Sequence, residues 1–156
     1  SPERAGGLET AGGIATALPL LGDEPFLVVN GDVLTDIDFQ AARLAAKRMQ
    51  EHNLLAHLWL VDNPPHHPEG DFGLLSDGLV SASSTTDGQA LTFSGVGVYH
   101  PALFKDTPAH QAATLAPLLR SAMHHVQISG EHHNGLWLDV GTVERLQEAD
   151  RIAQSW

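Results

Sequence analysis

The sequence of 156 residues contains no cysteine, and this absence excludes several kinds of site. Disulfide bonds, zinc sites built from thiolates and a cysteine nucleophile all require that side chain. No apolar run reaches the length of a membrane-spanning helix, and the first residues, Ser1 to Arg4, show none of the features of a signal peptide. We therefore expect a cytoplasmic protein that makes no contact with a membrane.

Basic residues are also scarce, because 8 Lys and Arg face 19 Asp and Glu and give a formal net charge of −11. Without a basic stripe to neutralise phosphates, nucleic acid is not an expected partner. An acidic chain can still bind a phosphorylated ligand where a divalent cation bridges carboxylates to phosphate oxygens. The length and the hydrophobic share of 42% predict one globular domain over residues 1–156.

Helical and strand patterns alternate in the first part of the chain, and strands then cluster. The patterns predict helices over 11–20, 38–49, 115–125 and 143–154, and strands over 26–30, 54–61, 72–75, 79–82, 91–99, 126–129 and 136–139. The apolar run 26–30 is typical of a buried parallel strand. Asp77-Gly78 predicts a hairpin, and Gly95 with Gly97 indicates a bulge or a close backbone approach. We expect an α/β sheet with an antiparallel insertion.

Two aspartates each follow the end of a predicted buried strand. Asp32 ends Asn30-Gly31-Asp32, and Asp139 lies in the similar stretch 137–142, which ends in a possible helix cap. In open α/β sheets, ligands bind beyond the carboxyl ends of the strands, and carboxylate oxygens suit Mg²⁺. Either stretch alone is equally typical of an ordinary turn. The two together favour a shared cation.

A glycine-bearing loop, Leu8-Glu9-Thr10-Ala11-Gly12-Gly13-Ile14, leads into the first predicted helix. Such a loop can bring its backbone close to a base or ribose, and a helix N-terminus favours anions. The spacing is neither that of a P-loop nor G-x-G-x-x-G, so a plain capped helix start explains it equally well.

Three other patterns carry little functional weight. Asp71-Phe72-Gly73 spells a kinase motif, but the companion kinase motifs are missing, and Ser94 does not lie in G-x-S-x-G. Adjacent histidines seldom point the same way, and no H-E-x-x-H is present, so we expect solvated loop histidines. These pairs are His66-His67, His124-His125 and His132-His133.

Nine stretches, in order along the chain, carry a resemblance to a known family. They are 8–14, 18–23, 26–32, 61–64, 70–72, 91–95, 115–120, 129–132 and 137–142. Together they resemble the sugar-1-phosphate nucleotidyltransferases, especially the N-acetylmuramate 1-phosphate uridylyltransferase branch used in cell-wall recycling. The resemblance implies a Rossmann-like mixed sheet flanked by helices, of the nucleotide-diphospho-sugar transferase type.

The resemblance also implies roles for individual residues. Asp32 and Asp139 would bind Mg²⁺ and act in catalysis. The nucleotide, UTP or another nucleoside triphosphate, would lie against Glu9, Thr10, Gly12, Gly13, Asn30 and Gly31. The sugar 1-phosphate would face Asn63, Asp71, Gly73, Ser94, Gly95 and Glu131. The implied reaction is attack of a sugar-1-phosphate oxygen on the nucleotide α-phosphate with release of pyrophosphate, which requires no protein nucleophile.

The sequence departs from the family in two places. Ala11 replaces a glycine that is common in the uridylyltransferase loop. The first family strand and its Gly-rich loop, with Arg and a later Pro-Lys pair, are not among these residues, so the domain is expected to be incomplete at its N-terminus. The cations that are present follow helical or loop patterns typical of solvated charge. They include Arg43, Lys47, Arg48, Lys105, Arg120, Arg145 and Arg151.

Each well-placed phosphate donor contributes roughly 3 kcal/mol to such a reaction, so we expect this chain alone to be weakly active or inactive. Rapid pyrophosphate release from UTP, Mg²⁺ and N-acetylmuramate 1-phosphate would contradict this expectation. Two alternatives stay open. One is a non-catalytic module that binds a sugar phosphate or nucleotide. The other is a metal-dependent hydrolase that uses the histidines, which predicts that loss of His66 or His132 abolishes activity while Asp32→Ala is harmless.

Overall fold

The computed structural model describes Ile14 and residues 22–29, 33–38, 40–65, 67–82, 88–107 and 115–139. Two helices, α1 and α2, span Ala41–His52 and Ala116–His124, and a short 3₁₀ helix spans Pro101–Phe104. The strands are β1 Phe26–Val29, β2 Val33–Thr35, β3 Ala56–Val61, β4 Phe72–Leu74, β5 Val80–Ser81, β6 Gln89–Tyr99, β7 Ile128–His132 and β8 Trp137–Asp139. The helices predicted over 11–20 and 143–154 lie outside the described residues, apart from Ile14, which is helical.

Six strands form one mixed sheet in the order β5-β4-β6-β3-β7, with β1 also paired to β6. β3 and β7 run parallel, whereas β1 runs antiparallel to β6, with Phe26 opposite Tyr99. The prediction of a buried parallel strand over 26–30 is therefore wrong, and Val29 is 38% exposed. An apolar run indicates contact with a core but carries no information on the direction of its neighbour.

The long strand β6 carries a bulge near its middle. Leu58 of β3 lies opposite Gly97, but Leu60, two residues on, lies opposite Phe93, four residues away along β6. Gly95 within this bulge has φ +87°, a conformation that favours glycine. A Cβ at Gly97 would lie 2.8 Å from the Tyr99 hydroxyl oxygen. The predicted bulge and close approach are both confirmed.

Strand β3 is buried along its whole length because helices cover both faces of the sheet. Leu58 and Leu60 pack with Leu119 of α2, while Trp59, on the opposite face, packs with Met49 of α1. Alternate side chains of a strand point to opposite faces, so β3 contributes to both cores. This double burial explains why its sequence reads as a continuous apolar run.

A second, two-stranded sheet lies beside the first and pairs β2 with β8 in antiparallel register. The Thr35 hydroxyl and the Asp36 amide both donate hydrogen bonds to the Leu136 carbonyl and extend this pairing. Strand β2 did not follow from the sequence pattern, since it has three residues. Among the described residues, no helix is both long and apolar enough to span a membrane.

We expect Leu60→Ala to lower the free energy of unfolding by about 2–5 kcal/mol, because it leaves a cavity where the side chain is 0% exposed. Leu44→Ala is the matched control, since Leu44 is 62% exposed on α1, and its effect should stay within about 0.5 kcal/mol. Urea unfolding followed by circular dichroism measures both values. Equal losses in the two variants would contradict this account of the core.

Candidate active site

The end of β8 lies beside the position where the sequence predicts a metal site. Val33, the residue after Asp32 in the sequence, pairs with Asp139. Directly opposed residues in such a ladder have Cα atoms about 4.5–5.5 Å apart. The Asp139 side chain is not among the described atoms, and several predicted site residues lie outside the described part of the chain, so their roles stay predictions. These are Asp32 and the predicted nucleotide-binding residues Glu9, Thr10, Gly12, Gly13, Asn30 and Gly31.

The β6 bulge is tied to β8 by an indole hydrogen bond. Nε1 of Trp137 donates to the Ser94 carbonyl oxygen at 2.7 Å. The Ser94 side chain is buried, and its hydroxyl oxygen accepts a hydrogen bond from the Val96 amide at 3.1 Å. Ser94 therefore holds the bulge together beside Gly95, and the predicted contact of these two residues with a sugar phosphate stays a prediction.

A cavity of about 230 Å³ opens on the α2 face of the main sheet, between β4, β6 and the first turns of α2. Its wall is largely apolar, with one carboxylate and one guanidinium. The lining residues are Asp71, Phe72, Phe93, Leu115, Ala116, Leu119 and Arg120. One predicted sugar-phosphate residue, Asp71, thus lines a cavity large enough to hold part of a ligand.

Asp71 is held in a fixed orientation by three hydrogen bonds. Its Oδ1 lies 2.9 Å from Nε2 of His67, its Oδ2 accepts from the Phe93 amide at 2.8 Å, and its own amide donates to the Leu91 carbonyl. Gly73, two residues further on, is buried in β4 opposite Ala90 of β6. These bonds fix the start of β4 against the strand that carries the bulge.

Asn63 joins the loop after β3 to β6. Its amide nitrogen donates to the carbonyl oxygens of Pro68 and Ala90, both at 3.2 Å, and its Oδ1 accepts from the Thr92 hydroxyl at 2.8 Å. A Cβ at Gly70 would lie 2.6 Å from that Oδ1, so the loop closes tightly around this amide. The structure gives Asn63 a role in holding the loop, and its predicted contact with the sugar phosphate stays a prediction.

Glu131 belongs to a hydrogen-bonded chain of three side chains that the sequence did not suggest. Oε1 of Glu131 lies 2.8 Å from Nε2 of buried His57, and Nδ1 of His57 lies 2.8 Å from the Ser129 hydroxyl. With Glu131 ionised, Nε2–H donates to the carboxylate, and Nδ1 of a neutral ring accepts from Ser129. His57 also meets the Trp59 ring edge-on, with centroids 5.0 Å apart.

This three-residue chain lies on the sheet face opposite the cavity. His57 alternates with Leu58, which packs toward α2, so the His57 ring points toward α1 together with Trp59. The Ser–His–Glu connectivity matches that of an acyl-transfer triad, but a triad needs a substrate cavity at the serine. None of the three residues lines the cavity between β4, β6 and α2, and we interpret the chain as a structural network that orients Glu131.

Histidines pair with carboxylates at two further places. Nε2 of His132 lies 2.8 Å from Asp62, and Nε2 of His133 lies 2.7 Å from Asp36. Their side chains are 21% and 17% exposed, so the expectation of solvated histidines is wrong for this pair. The reason is the scarcity of Lys and Arg, which leaves histidine as the available partner for carboxylates. Within the described residues, no group of three or more His, Asp or Glu could hold a metal.

No role was expected for His57 from the sequence, and Arg120 lies in a helical pattern typical of solvated charge. A signal existed for His57, because a histidine inside the apolar run 54–61 must find partners when it is buried. Arg120 gave no such signal, since an exposed helical arginine is common. Its place at the cavity depends on how α2 packs on the sheet.

The hydrogen bond from His57 lowers the pKa of Glu131 below the ordinary value of 4.5; partial burial opposes this, and nearby positive charge assists it. The folded-state pKa lies below the unfolded one, so the pair stabilises the fold above pH 4.5 and loses this effect as the pH falls through the folded-state pKa. We expect Glu131→Gln to lower the free energy of unfolding at pH 7 by about 1 kcal/mol, a small value because the side chain is 50% exposed. The variant should also lose less stability than the unmodified chain as the pH falls.

Urea unfolding at several pH values between pH 7 and acid tests this expectation. Glu51→Gln, on the exposed side of α1, is the matched control for removal of a carboxylate. If the free energy of unfolding of Glu131→Gln falls with decreasing pH as steeply as that of the unmodified chain, the bond to His57 contributes nothing to stability.

Two of the named proteins that match this chain cover nearly all of it. An N-acetylmuramate alpha-1-phosphate uridylyltransferase from Neisseria meningitidis serogroup B is 61% identical over 156 residues, which is 100% of this chain and 67% of that protein. A protein of the same name from Caulobacter vibrioides is 32% identical over 162 residues, covering 99% of this chain and 66% of that protein. The chain thus spans about two thirds of the length of these relatives. No protein-family model matches the chain.

Solved structures share the fold at low sequence identity. A Bacillus anthracis protein named as a glucose-1-phosphate thymidylyltransferase aligns with a TM-score of 0.72 at 15% identity, over 96% of this chain and 62% of that one. Apo UDP-glucose pyrophosphorylase aligns with a TM-score of 0.67 at 18% identity, over 94% of this chain and 60% of that one. These likenesses confirm the predicted mixed sheet with flanking helices of the nucleotide-diphospho-sugar transferase type. The 61% identity across its whole length shows that the chain belongs to the sugar-1-phosphate nucleotidyltransferase family, on the branch of the N-acetylmuramate α-1-phosphate uridylyltransferases.

Proposed function

We propose that these 156 residues form the metal-binding and acceptor-binding part of an enzyme that transfers UMP from UTP to N-acetylmuramate α-1-phosphate in cell-wall sugar recycling. The names of the two relatives support this substrate pair. A cytoplasmic location belongs to the same proposal, because UTP is a cytoplasmic substrate.

The observation that carries the proposal is the register of β2 with β8. Val33 lies opposite Asp139, so the main chain next to Asp32 and the main chain of Asp139 run side by side. Two aspartates at such positions can hold one ion between them, as a shared carboxylate site requires. The register agrees with the roles expected for Asp32 and Asp139 from the two ends of the sequence.

The chemistry of the two side chains fits Mg²⁺, which takes one or two carboxylates together with phosphate oxygens and water. Asp32 and Asp139 would hold the ion. When bound, it supplies positive charge against the phosphate oxygens. A chain with 8 Lys and Arg and a net charge of −11 has few other sources of such charge.

The proposed reaction needs positioning and no protein nucleophile. An oxygen of the acceptor phosphate attacks the α-phosphorus of UTP, and a new P–O bond forms. The bond from the α-phosphorus to the bridging oxygen breaks, and pyrophosphate leaves with the bonding electron pair. The bonds from Trp137 to Ser94 and from Phe93 to Asp71 keep β8, β6 and β4 in fixed relation, which reduces the entropy that alignment costs.

In a protein that also carries the family's first strand and Gly-rich loop, we expect Asp32→Asn and Asp139→Asn each to remove the Mg²⁺ dependence of UDP-N-acetylmuramate binding and to lower its formation at least about 100-fold, because a preorganised charge is lost. Calorimetry with and without Mg²⁺ measures binding, and chromatography measures product. Asp77→Asn is the matched control, since Asp77 lies in the exposed β4–β5 turn, where an Asn oxygen can also accept from the Leu79 amide.

Three outcomes separate the alternatives. Unchanged Mg²⁺ dependence in both variants would contradict the metal site. Tight binding of acceptor and nucleotide with no product, in a protein that also carries the family's first strand and Gly-rich loop, would favour a non-catalytic binding module. Loss of activity in His132→Ala together with a harmless Asp32→Ala would favour the histidine-dependent hydrolase.

A further inference from the structure

The cavity between β4, β6 and α2 combines an apolar wall with a cation. Phe93 and Leu119 contribute to the wall, and Arg120 lies at the same cavity. Its volume of about 230 Å³ is below the roughly 300–1,000 Å³ of pockets that enclose whole small ligands. The expected occupant is therefore one part of a ligand, with an apolar group and an anionic group close together.

Arg120 has its charge available for such a ligand. In the part of the chain that the structure describes, the four ion pairs all join a histidine to a carboxylate, so no described carboxylate pairs with the Arg120 guanidinium. Asp71 lines the same cavity but has both oxygens bonded, to His67 and to the Phe93 amide. A planar guanidinium presents paired donors that match a carboxylate at both oxygens.

We propose that Arg120 selects an acceptor sugar that bears a carboxylate, and that this cavity receives the lactyl ether of N-acetylmuramate. The inference rests on the proposed function, since it concerns the acceptor of that reaction. The lactyl group carries a methyl and a carboxylate on the same carbon. The methyl packs against Phe93 and Leu119, and the carboxylate bonds to Arg120. N-acetylglucosamine has a hydroxyl in place of this group and gains neither contact.

A short series of contacts joins the cavity to the strand that carries Asp139, and the proposal places one sugar along it. Phe93 adjoins Ser94, whose carbonyl oxygen accepts the hydrogen bond from Trp137. Trp137 is two residues before Asp139 in β8. A phosphate held beside Asp139 and a substituent on the sugar ring held at Arg120 therefore lie on either side of the same bulge.

Calorimetric titration of the chain in the presence of Mg²⁺, with N-acetylmuramate α-1-phosphate and with N-acetylglucosamine α-1-phosphate, tests the proposal. We expect the chain to bind the muramate at least about tenfold more tightly, equivalent to about 1.4 kcal/mol. Arg120→Ala should remove this preference by weakening muramate binding while leaving the affinity for the glucosamine phosphate within about twofold. Arg120→Lys should keep part of the preference, because an ammonium has charge but lacks the two-pronged geometry.

Arg43→Ala is the matched control, since Arg43 is an exposed helical arginine on α1, on the other face of the sheet, and it should keep the full preference. Equal affinity of the unmodified chain for both phosphates would overturn the role of Arg120 and leave the proposed transfer reaction intact. An equal loss for both phosphates in Arg120→Ala would also overturn it, because the arginine would then act on a shared group or on the fold. Binding of neither phosphate by the folded chain would overturn the proposed function itself, and this inference with it.

Discussion

The ladder between β3 and β6 is the interaction on which the rest of the molecule depends. β6 pairs with β3 on one side and with β1 and β4 on the other, so one strand determines the position of three neighbours. The bulge at Gly95 gives β6 two more residues than β3 between successive pairs of the ladder. At this irregular place the Ser94 carbonyl accepts the indole hydrogen bond from Trp137 instead of a ladder partner. The indole hydrogen bond to that carbonyl helps to position the second sheet, which contains Asp139.

The charge composition explains a second feature, the number of histidine–carboxylate pairs. Four such pairs occur in the described part of the chain, at Glu131, Asp71, Asp62 and Asp36. Most of these contacts are partly exposed, where an ion pair contributes about 1 kcal/mol or less. Their effect is mainly to set the direction of carboxylates. Two of them, His132 with Asp62 and His133 with Asp36, join the end of β7 to the segments after β3 and β2.

Much of the fold followed from the sequence because its signals are local. The apolar run of β3, the turn at Asp77-Gly78 and the bulge at Gly95 each depend on residues within a few positions of one another. The direction of β1 did not follow, since it depends on a partner about 70 residues further along the chain. Strand β2 also did not follow, because three residues carry too little pattern to separate a strand from a turn.

The candidate site residues also differ in whether a local sequence signal or the packing of distant elements reveals them. Asp71 could be predicted because it lies in a stretch that resembles the family, and the structure places it at the cavity. The metal site at Asp32 and Asp139, expected because each ends an apolar run, stays a prediction. His57 could have been found by asking how a histidine in a buried strand satisfies two ring nitrogens, which His57 does with Ser129 and Glu131. Arg120 could not be found that way, because its place at the cavity with Phe93 and Asp71 depends on how α2 packs on the sheet.

A net charge of −11 repels a ligand with several negative charges at long range, although salt screens this beyond about 8–10 Å. Such a ligand therefore binds only where positive charge is concentrated locally. The proposed ion between Asp32 and Asp139 would provide this for the phosphates, and Arg120 would provide it for the carboxylate of the acceptor. With few competing cations elsewhere, an anionic sugar has few alternative binding places on this surface. The acidic composition can thus favour a single orientation of the acceptor, with its phosphate toward β8 and its carboxylate toward α2.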